Sequence, residues 1–96
     1  MILVSNDDRI PYGCQDSSAA TENIFLAAAS YGIGTVWVNA LMHLRKHAPV
    51  KEMLDKMGIP ENHTIWSCIC MGYPVSDGAA LARKEHVVFY PDRSEE

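Results

Sequence analysis

Three cysteines and one histidine are the first residues whose types could do chemistry, because thiolate and imidazole groups bind transition-metal ions. Cys68 and Cys70 alternate along a strand-like stretch and would point to one face, and with Cys14 and His63 they offer four zinc ligands. Structural zinc sites usually combine pairs of Cys-x-x-Cys knuckles, which this sequence lacks. We therefore predict that the cysteines are small, buried core residues and that the chain has no metal site.

A second candidate metal pair is His43 and His47, which are four positions apart and would share one face of a helix. The sequence has no His-Glu-x-x-His pattern, and Pro49 disfavours a helix that runs through both histidines. We expect solvated or capping roles for the two side chains.

The adjacent cations Arg83 and Lys84 are of the types that bind phosphate, since a guanidinium can hold two phosphate oxygens and an ammonium supplies a point charge. Alone, such a pair is usually a solvated part of the surface. The sequence offers no Ser/His/Asp arrangement, phosphate-binding glycine loop or paired catalytic carboxylates. Hydrolase and kinase functions are therefore disfavoured, and we predict no catalytic side chain.

Charge and composition exclude further classes of partner. The 96 residues carry a formal net charge of −4 at pH 7, which gives no basic field for a nucleic acid. No apolar run reaches transmembrane length, so we expect no membrane association. The odd number of cysteines and the lack of a signal-like start favour the cytoplasm. We expect one domain over residues 1–96, and a chain this short gains stability from a partner or a cofactor.

The element that must position most of these residues is a helix rich in small side chains. We predict that it begins with Asp16 as N-cap, runs to about Tyr31 and is buried on most sides, because apolar residues surround its axis. Gly32 suits a left-handed C-terminal cap. Gly34 and the stretch "TVWV" then predict a short strand that lies close to the helix.

A second helix is predicted in "PVKEMLDKMGIP", with Pro49 in its first turn, Gly58 as its C-terminal cap and an ion pair between Glu52 and Lys56. Its inward face repeats at helical spacing and consists of Val50, Met53, Leu54 and Met57.

Three further strands are predicted. "MILVS" is a core strand at the start of the chain, and "HVVFY" is a candidate last strand. In "TIWSCICMGYP", alternation places Ile65, Ile69 and Met71 on one face and Trp66, Cys68 and Cys70 on the other, and both faces look buried. Gly72 ends this strand where a side chain would obstruct a neighbour.

Three linked segments resemble the C-terminal half of the nitroreductase family, the FMN-dependent NAD(P)H oxidoreductases. They are "DSSAATENIFLAAASYGIGTVWV", "MGIPENHTIWSCICMGYP" and "ALARKEHVVFY", in that order. Each segment alone is a weak signal, but together they extend the resemblance over nearly the whole chain. The resemblance implies an α+β fold with a three-layer core, a mainly antiparallel sheet and a buried central helix, of which the N-terminal half is absent.

The resemblance also implies a homodimer with two FMN sites at its interface. Trp37, Val38, Asn39 and Ala40 match the family segment whose backbone approaches the isoalloxazine ring. Arg83 matches the position that binds the FMN phosphate, and Lys84 lies beside it.

Two functions follow as alternatives. The first is an FMN-dependent oxidoreductase that transfers hydride from NAD(P)H to a nitroaromatic, quinone or similar small-molecule acceptor. The second is a noncatalytic, nitroreductase-like dimerisation domain, truncated at its N-terminal side, that needs a partner chain to complete the flavin site.

Overall fold

A computed structural model of the chain describes residues 1–76 and 78–92. Within these residues it contains three strands and three helices, which confirms the predicted α+β class. In chain order they are β1 (Ile2–Asp7), α1 (Gly13–Ser30), β2 (Gly34–Val38), α2 (Ala40–Leu44), α3 (Ala48–Lys56) and β3 (His63–Gly72).

The strands form one antiparallel sheet in the order β1-β3-β2, so β3 is hydrogen-bonded on both sides. α1 packs against all three strands, and α2 packs against β3. The predicted first strand is therefore present, but it lies at an edge of the sheet, and none of its residues is fully buried.

A bulge interrupts the pairing of β1 with β3. Val4 pairs with Ser67 and Ser5 with Ile65, which leaves Trp66 without a partner in β1. Trp66 and Ser67 consequently both face α1. A Cβ placed on Gly13 would lie 3.2 Å from Trp66 Nε1, and Ser67 Oγ lies 2.8 Å from Thr21 Oγ1. The predicted strict alternation in β3 is wrong here, because the extra residue shifts the faces.

The core lies where β3 meets the helices. Its largest fully buried apolar side chains are Leu54, Ile65 and Ile69. The face of α1 that the chain buries is made of small residues: Gly13, Ser17, Thr21 and Ala28. The other sides of α1 stay accessible in the single chain, and Leu26 is 60% exposed. Burial on most sides would therefore need a second covering surface.

α1 begins earlier than predicted. Tyr12 is its N-cap and Asp16 lies in its first turn, where the Asp16 amide donates to the Tyr12 carbonyl at 2.9 Å. The prediction of Asp16 as N-cap is wrong, although a carboxylate in the first turn still complements the helix dipole. The predicted end is confirmed, since Gly32 has φ +72° and the Ile33 amide returns to the Ala28 carbonyl.

The second predicted helix corresponds to α3. Proline occupies its first turn, Gly58 follows it with φ +84°, and Lys56 Nζ lies 3.2 Å from Glu52 Oε1. The inward face is only partly covered, because Leu54 is buried whereas Met53 and Met57 are 42% and 49% exposed.

Four further expectations meet different outcomes. "HVVFY" forms no strand: Val87 and Phe89 are 68% and 71% exposed, and no strand pairs with this stretch among the described residues. Cys68 is buried, but Cys14 and Cys70 are exposed, so the prediction of buried thiols is wrong for two of the three. Gly72 ends β3 as predicted. A Cβ there would meet no atom within 4 Å, so the predicted obstruction is wrong. The expectation of solvated side chains for the histidine pair is confirmed, because His43 and His47 are both exposed.

Candidate functional site

The junction between β2 and α2 holds four of the six predicted site residues in one continuous segment. Trp37 is fixed by an edge-to-face contact with Phe25 of α1, with ring centroids 6.2 Å apart and an angle of 77°. Its backbone pairs with Ile69, and Val38 pairs with Cys68 at the centre of the sheet. The segment therefore leaves the sheet from an anchored position.

The next two residues, Asn39 and Ala40, form the start of α2. Asn39 is the N-cap, and its carbonyl accepts the Met42 amide at 3.2 Å. Across the described part of the chain, the backbone amides of Asn39 and Ala40 donate no hydrogen bond. Two adjacent N–H donors are thus available to an acceptor outside the chain, because the first amides of a helix have no intrahelical partner.

The other two predicted residues, Arg83 and Lys84, lie in an exposed segment without helix or strand. In the ranges 1–76 and 78–92, neither side chain makes a hydrogen bond or an ion pair. No hydrogen bond, ion pair or ring contact joins them to the segment around Trp37. The structure therefore assembles residues 37–40 and leaves the two cations apart from them.

Two adjoining cavities beside α2 were not predicted from the sequence. The first, of about 280 Å³, lies against α3 and is lined by Arg45, Lys46, Lys51, Leu54, Asp55 and Glu61. The second, of about 330 Å³, is lined by Asp8, Met42, His43, Arg45, Lys46, Glu61 and Thr64. Arg45, Lys46 and Glu61 line both cavities.

Most of the charged side chains that line these cavities already form ion pairs or hydrogen bonds within the chain. Arg45 Nη2 donates to the carbonyls of Pro60, at 2.8 Å, and Glu61. Lys51 Nζ lies 2.9 Å from Asp55 Oδ2 and 2.8 Å from Glu61 Oε1. Hydrogen bonds to Asp55 and Glu61 raise the pKa of Lys51 to about 12. The cluster mainly ties α3 to the loop before β3.

The sequence does contain a signal for this cluster, namely the basic residues at 45, 46 and 51 followed by Glu61. Spacing alone could not indicate the cavities, because their walls come from α2, α3 and the loop that precedes β3. In the part of the chain that the structure describes, no group of three or more His, Cys, Asp or Glu residues could hold a metal ion. None of the described helices is long and apolar enough to cross a membrane.

Residues 1–73 match the sequence model of the nitroreductase family. The chain belongs to the nitroreductase family. This matched range contains every helix and strand of the structure and the segment 37–40, whereas Arg83 and Lys84 lie beyond it.

Named relatives agree with this membership. The chain is 40% identical to a protein described as an NADH dehydrogenase/NAD(P)H nitroreductase from Archaeoglobus fulgidus, over 96% of this chain and 53% of that protein. It is 33% identical to an NADPH-flavin oxidoreductase from Vibrio harveyi, over 88% of this chain and 33% of that protein. The chain thus spans about half or less of the length of these relatives.

A solved structure supports the same fold. The crystal structure of a nitroreductase with bound FMN from Bacteroides fragilis superposes with a TM-score of 0.84 at 31% identity, covering 92% of this chain and 48% of that chain. The likeness confirms the expected nitroreductase-like architecture, of which this chain represents a part.

Proposed function

We propose that this chain is an FMN-dependent oxidoreductase with its flavin site at a homodimer interface. The proposed substrates are NAD(P)H as hydride donor and a nitroaromatic, quinone or similar small molecule as acceptor. The observation that carries the proposal is family membership together with the FMN-bound relative of the same fold. When bound, FMN would supply the redox chemistry by taking up hydride and passing electrons to the acceptor.

The segment around Trp37 fits a flavin ring for a physical reason found in this chain. The free amides of Asn39 and Ala40 are donors on a backbone that the Trp37–Phe25 contact and the β2–β3 ladder hold in place. Preoriented N–H groups stabilise negative charge that develops on a bound ring without having to reorganise. No protein nucleophile is needed for this role.

Arg83 is the proposed phosphate ligand, with Lys84 in support. Both cations are exposed and make no internal ion pair among the described residues, so phosphate binding would break no existing contact. A guanidinium can bind two phosphate oxygens at once, whereas the ammonium group of Lys84 is less directional. We therefore expect Arg83 to contribute more than Lys84.

A homodimer is the proposed assembly, because apolar residues of α1 and of the turn after it lack cover in the single chain. Leu26 is 60% exposed and Tyr31 is 78% exposed. A second copy that packs on α1 would bury them and would bring two candidate segments near one interface. The odd cysteine count supports a cytoplasmic location.

A noncatalytic domain that completes its flavin site with a partner chain is the second candidate. It is favoured by one specific observation, which is that the chain covers only 48% of the FMN-bound relative. The two candidates differ in whether the 96-residue chain binds FMN by itself.

The test is an FMN titration of the purified chain, followed by flavin fluorescence, with the molecular mass measured on the same sample. Stoichiometric binding by a dimer is expected for the oxidoreductase. A folded chain that neither binds FMN nor self-associates would contradict it. FMN binding that appears only after a second chain is added would support the noncatalytic domain.

Arg83→Ala sharpens this test. Loss of a charge-assisted phosphate contact, worth roughly 1.5–3 kcal/mol, should weaken FMN binding by roughly 10- to 150-fold. Lys56→Ala is the matched control, because it removes one exposed positive charge from α3. This variant should bind FMN as tightly as the unaltered chain. Equal affinities for the two variants would remove Arg83 from the site.

A further inference from the structure

Cys68 and Cys70 form a pair of thiols on β3 that the proposed flavin chemistry does not use. They are two residues apart in a strand, so their side chains point to one face of the sheet. Cys68 is 4% exposed, whereas Cys70 is open to solvent, and both are free thiols. Their partners in β2 are Val38 and Val36, which give the pair an apolar wall.

The backbone around this pair is held on both sides. Cys68 pairs with Leu3 of β1 and with Val38 of β2, and Cys70 pairs with Val36. Residues two apart in a strand have Cα atoms about 6.6–6.8 Å apart, and Cβ atoms on one face keep a similar spacing. A disulfide needs Cβ atoms about 3.8 Å apart, so the central strand would have to distort to form one.

A two-coordinate metal ion suits the same spacing far better. Two thiolates on opposite sides of one ion hold their sulfur atoms roughly 4.5 Å apart, twice a metal–sulfur bond of about 2.3 Å. Side chains two apart in a strand reach this separation when each sulfur leans roughly 1 Å towards the other.

The number and type of ligands narrow the identity of the ion. Among the residues that the structure describes, no third His, Cys, Asp or Glu side chain completes a cluster with this pair. Zinc prefers four ligands, and calcium or magnesium prefers oxygen. Soft thiolate ligands select Cu(I). Contrary to the prediction from the sequence that the chain has no metal site, we propose that Cys68 and Cys70 bind one thiophilic monovalent ion, with Cu(I) as its biological occupant.

Binding replaces the two S–H protons by one Cu(I), so two protons are released and no oxidation occurs. The site needs no flavin and stands independently of the proposed oxidoreductase function.

The experiment is an anaerobic titration of the reduced 96-residue chain with Cu(I) in competition with bicinchoninate, a coloured Cu(I) chelator. We expect the chain to withdraw one ion per molecule from the chelator. Cys70→Ser should abolish this withdrawal while its circular dichroism stays unchanged, because Cys70 is exposed. Cys14→Ser is the matched control and should bind like the unaltered chain.

Any of three results would overturn the proposal. Two concern the variants: a folded Cys70→Ser chain that binds Cu(I) as tightly as the original, and a Cys14→Ser chain that no longer binds it. The third is a Cys68–Cys70 disulfide formed by diamide in the folded chain and detected by mass, since it would show that the strand does not hold the sulfurs apart. Failure of the chain to bind FMN would affect neither the Cu(I) titration nor the diamide experiment.

Discussion

Residues 1–72 and a second region, the described residues 73–76 and 78–92, carry similar apolar side chains, but only the first region buries them. Ile65 and Ile69 of β3 are 1% and 0% exposed. Val87 and Val88 in the second region are 68% and 65% exposed, although β-branched residues favour strands equally in both places. What differs is the neighbour. β3 has a strand on each side and helices over it, whereas the second region has none of these among the described residues.

This difference shows that strand propensity does not by itself make a strand. Isolated extended segments leave their backbone groups to water, and stability comes from a ladder and a buried face. The family match ends at residue 73, close to where burial ends. The second region therefore offers apolar surface that a binding partner could cover.

The largest expected effect on stability is that of a substitution in the fully buried core of the first region. Ile69→Ala should lower the free energy of unfolding by about 2–5 kcal/mol, since it removes fully buried methyl groups from the central strand. Val87→Ala is the matched control in the second region and should change it by less than about 0.5 kcal/mol. Urea denaturation of both variants measures this. A large effect of Val87→Ala would show that residue 87 is buried in solution.

A buried hydroxyl pair gives the next largest effect. Thr21 Oγ1 donates to the Ser17 carbonyl at 2.8 Å and lies 2.8 Å from Ser67 Oγ, and both side chains are almost fully buried. Thr21→Val removes the hydrogen-bond partner of the buried Ser67 hydroxyl. This should lower the free energy of unfolding by about 1–3 kcal/mol.

Adding Ser67→Ala to Thr21→Val should recover part of that loss, because the unpaired hydroxyl is then gone. Ser76→Ala, at an exposed position of the second region, should leave the unfolding curve unchanged. Simple additivity of the two core substitutions would mean that the hydroxyls do not interact.

The fold could be predicted further than the site because its signals are local. Gly32 and Gly58 marked the helix ends correctly, since a left-handed cap needs only the sequence around it. The bulge at Trp66 was missed because it depends on how β1 pairs with β3, a contact between residues 60 or more positions apart. The cavity wall at Arg45 was missed because Arg45 contacts the carbonyls of residues 15 and 16 positions further along the chain.

For the candidate site, the sequence resemblance predicted Trp37 to Ala40, and the structure adds that the backbone amides of Asn39 and Ala40 donate no hydrogen bond among the described residues. This segment and Arg83 both remain predictions. The position of Arg83 relative to that segment depends on what covers the second region, which local sequence patterns do not determine. Cys14 and Cys70 were assigned to the core by residue type, but both are exposed, because burial depends on packing that residue type does not determine.

Glycine substitutions that cause no steric clash test the effect of backbone strain alone. Gly32 has φ +72°, and a Cβ there would meet no atom within 4 Å, so Gly32→Ala tests conformation without a clash. Gly32→Ala should lower the free energy of unfolding by about 1–2 kcal/mol. Gly72→Ala, at the end of β3, also meets no atom within 4 Å and has no positive φ, so it should be close to neutral. Equal unfolding midpoints for the two variants would show that the chain can end α1 in another conformation.

The smallest expected effect concerns an exposed ion pair at the end of β1. Hydrogen bonds from Arg9 lower the pKa of Asp7 from 3.8 to about 2. A lowered folded-state pKa gives stability that is complete above the unfolded value near 3.8 and is lost as the pH falls towards 2. Asp7→Asn should therefore flatten the stability curve slightly between pH 4 and pH 2, because the variant has no carboxyl to protonate. Glu85→Gln should leave that window unchanged, since the Glu85 carboxylate lies 3.9 Å from the His86 ring and both side chains are about nine-tenths exposed. Acid titrations followed by circular dichroism compare the unaltered chain with Asp7→Asn and Glu85→Gln. If the curve for Asp7→Asn coincides with that of the unaltered chain, the Asp7–Arg9 contact adds nothing to stability.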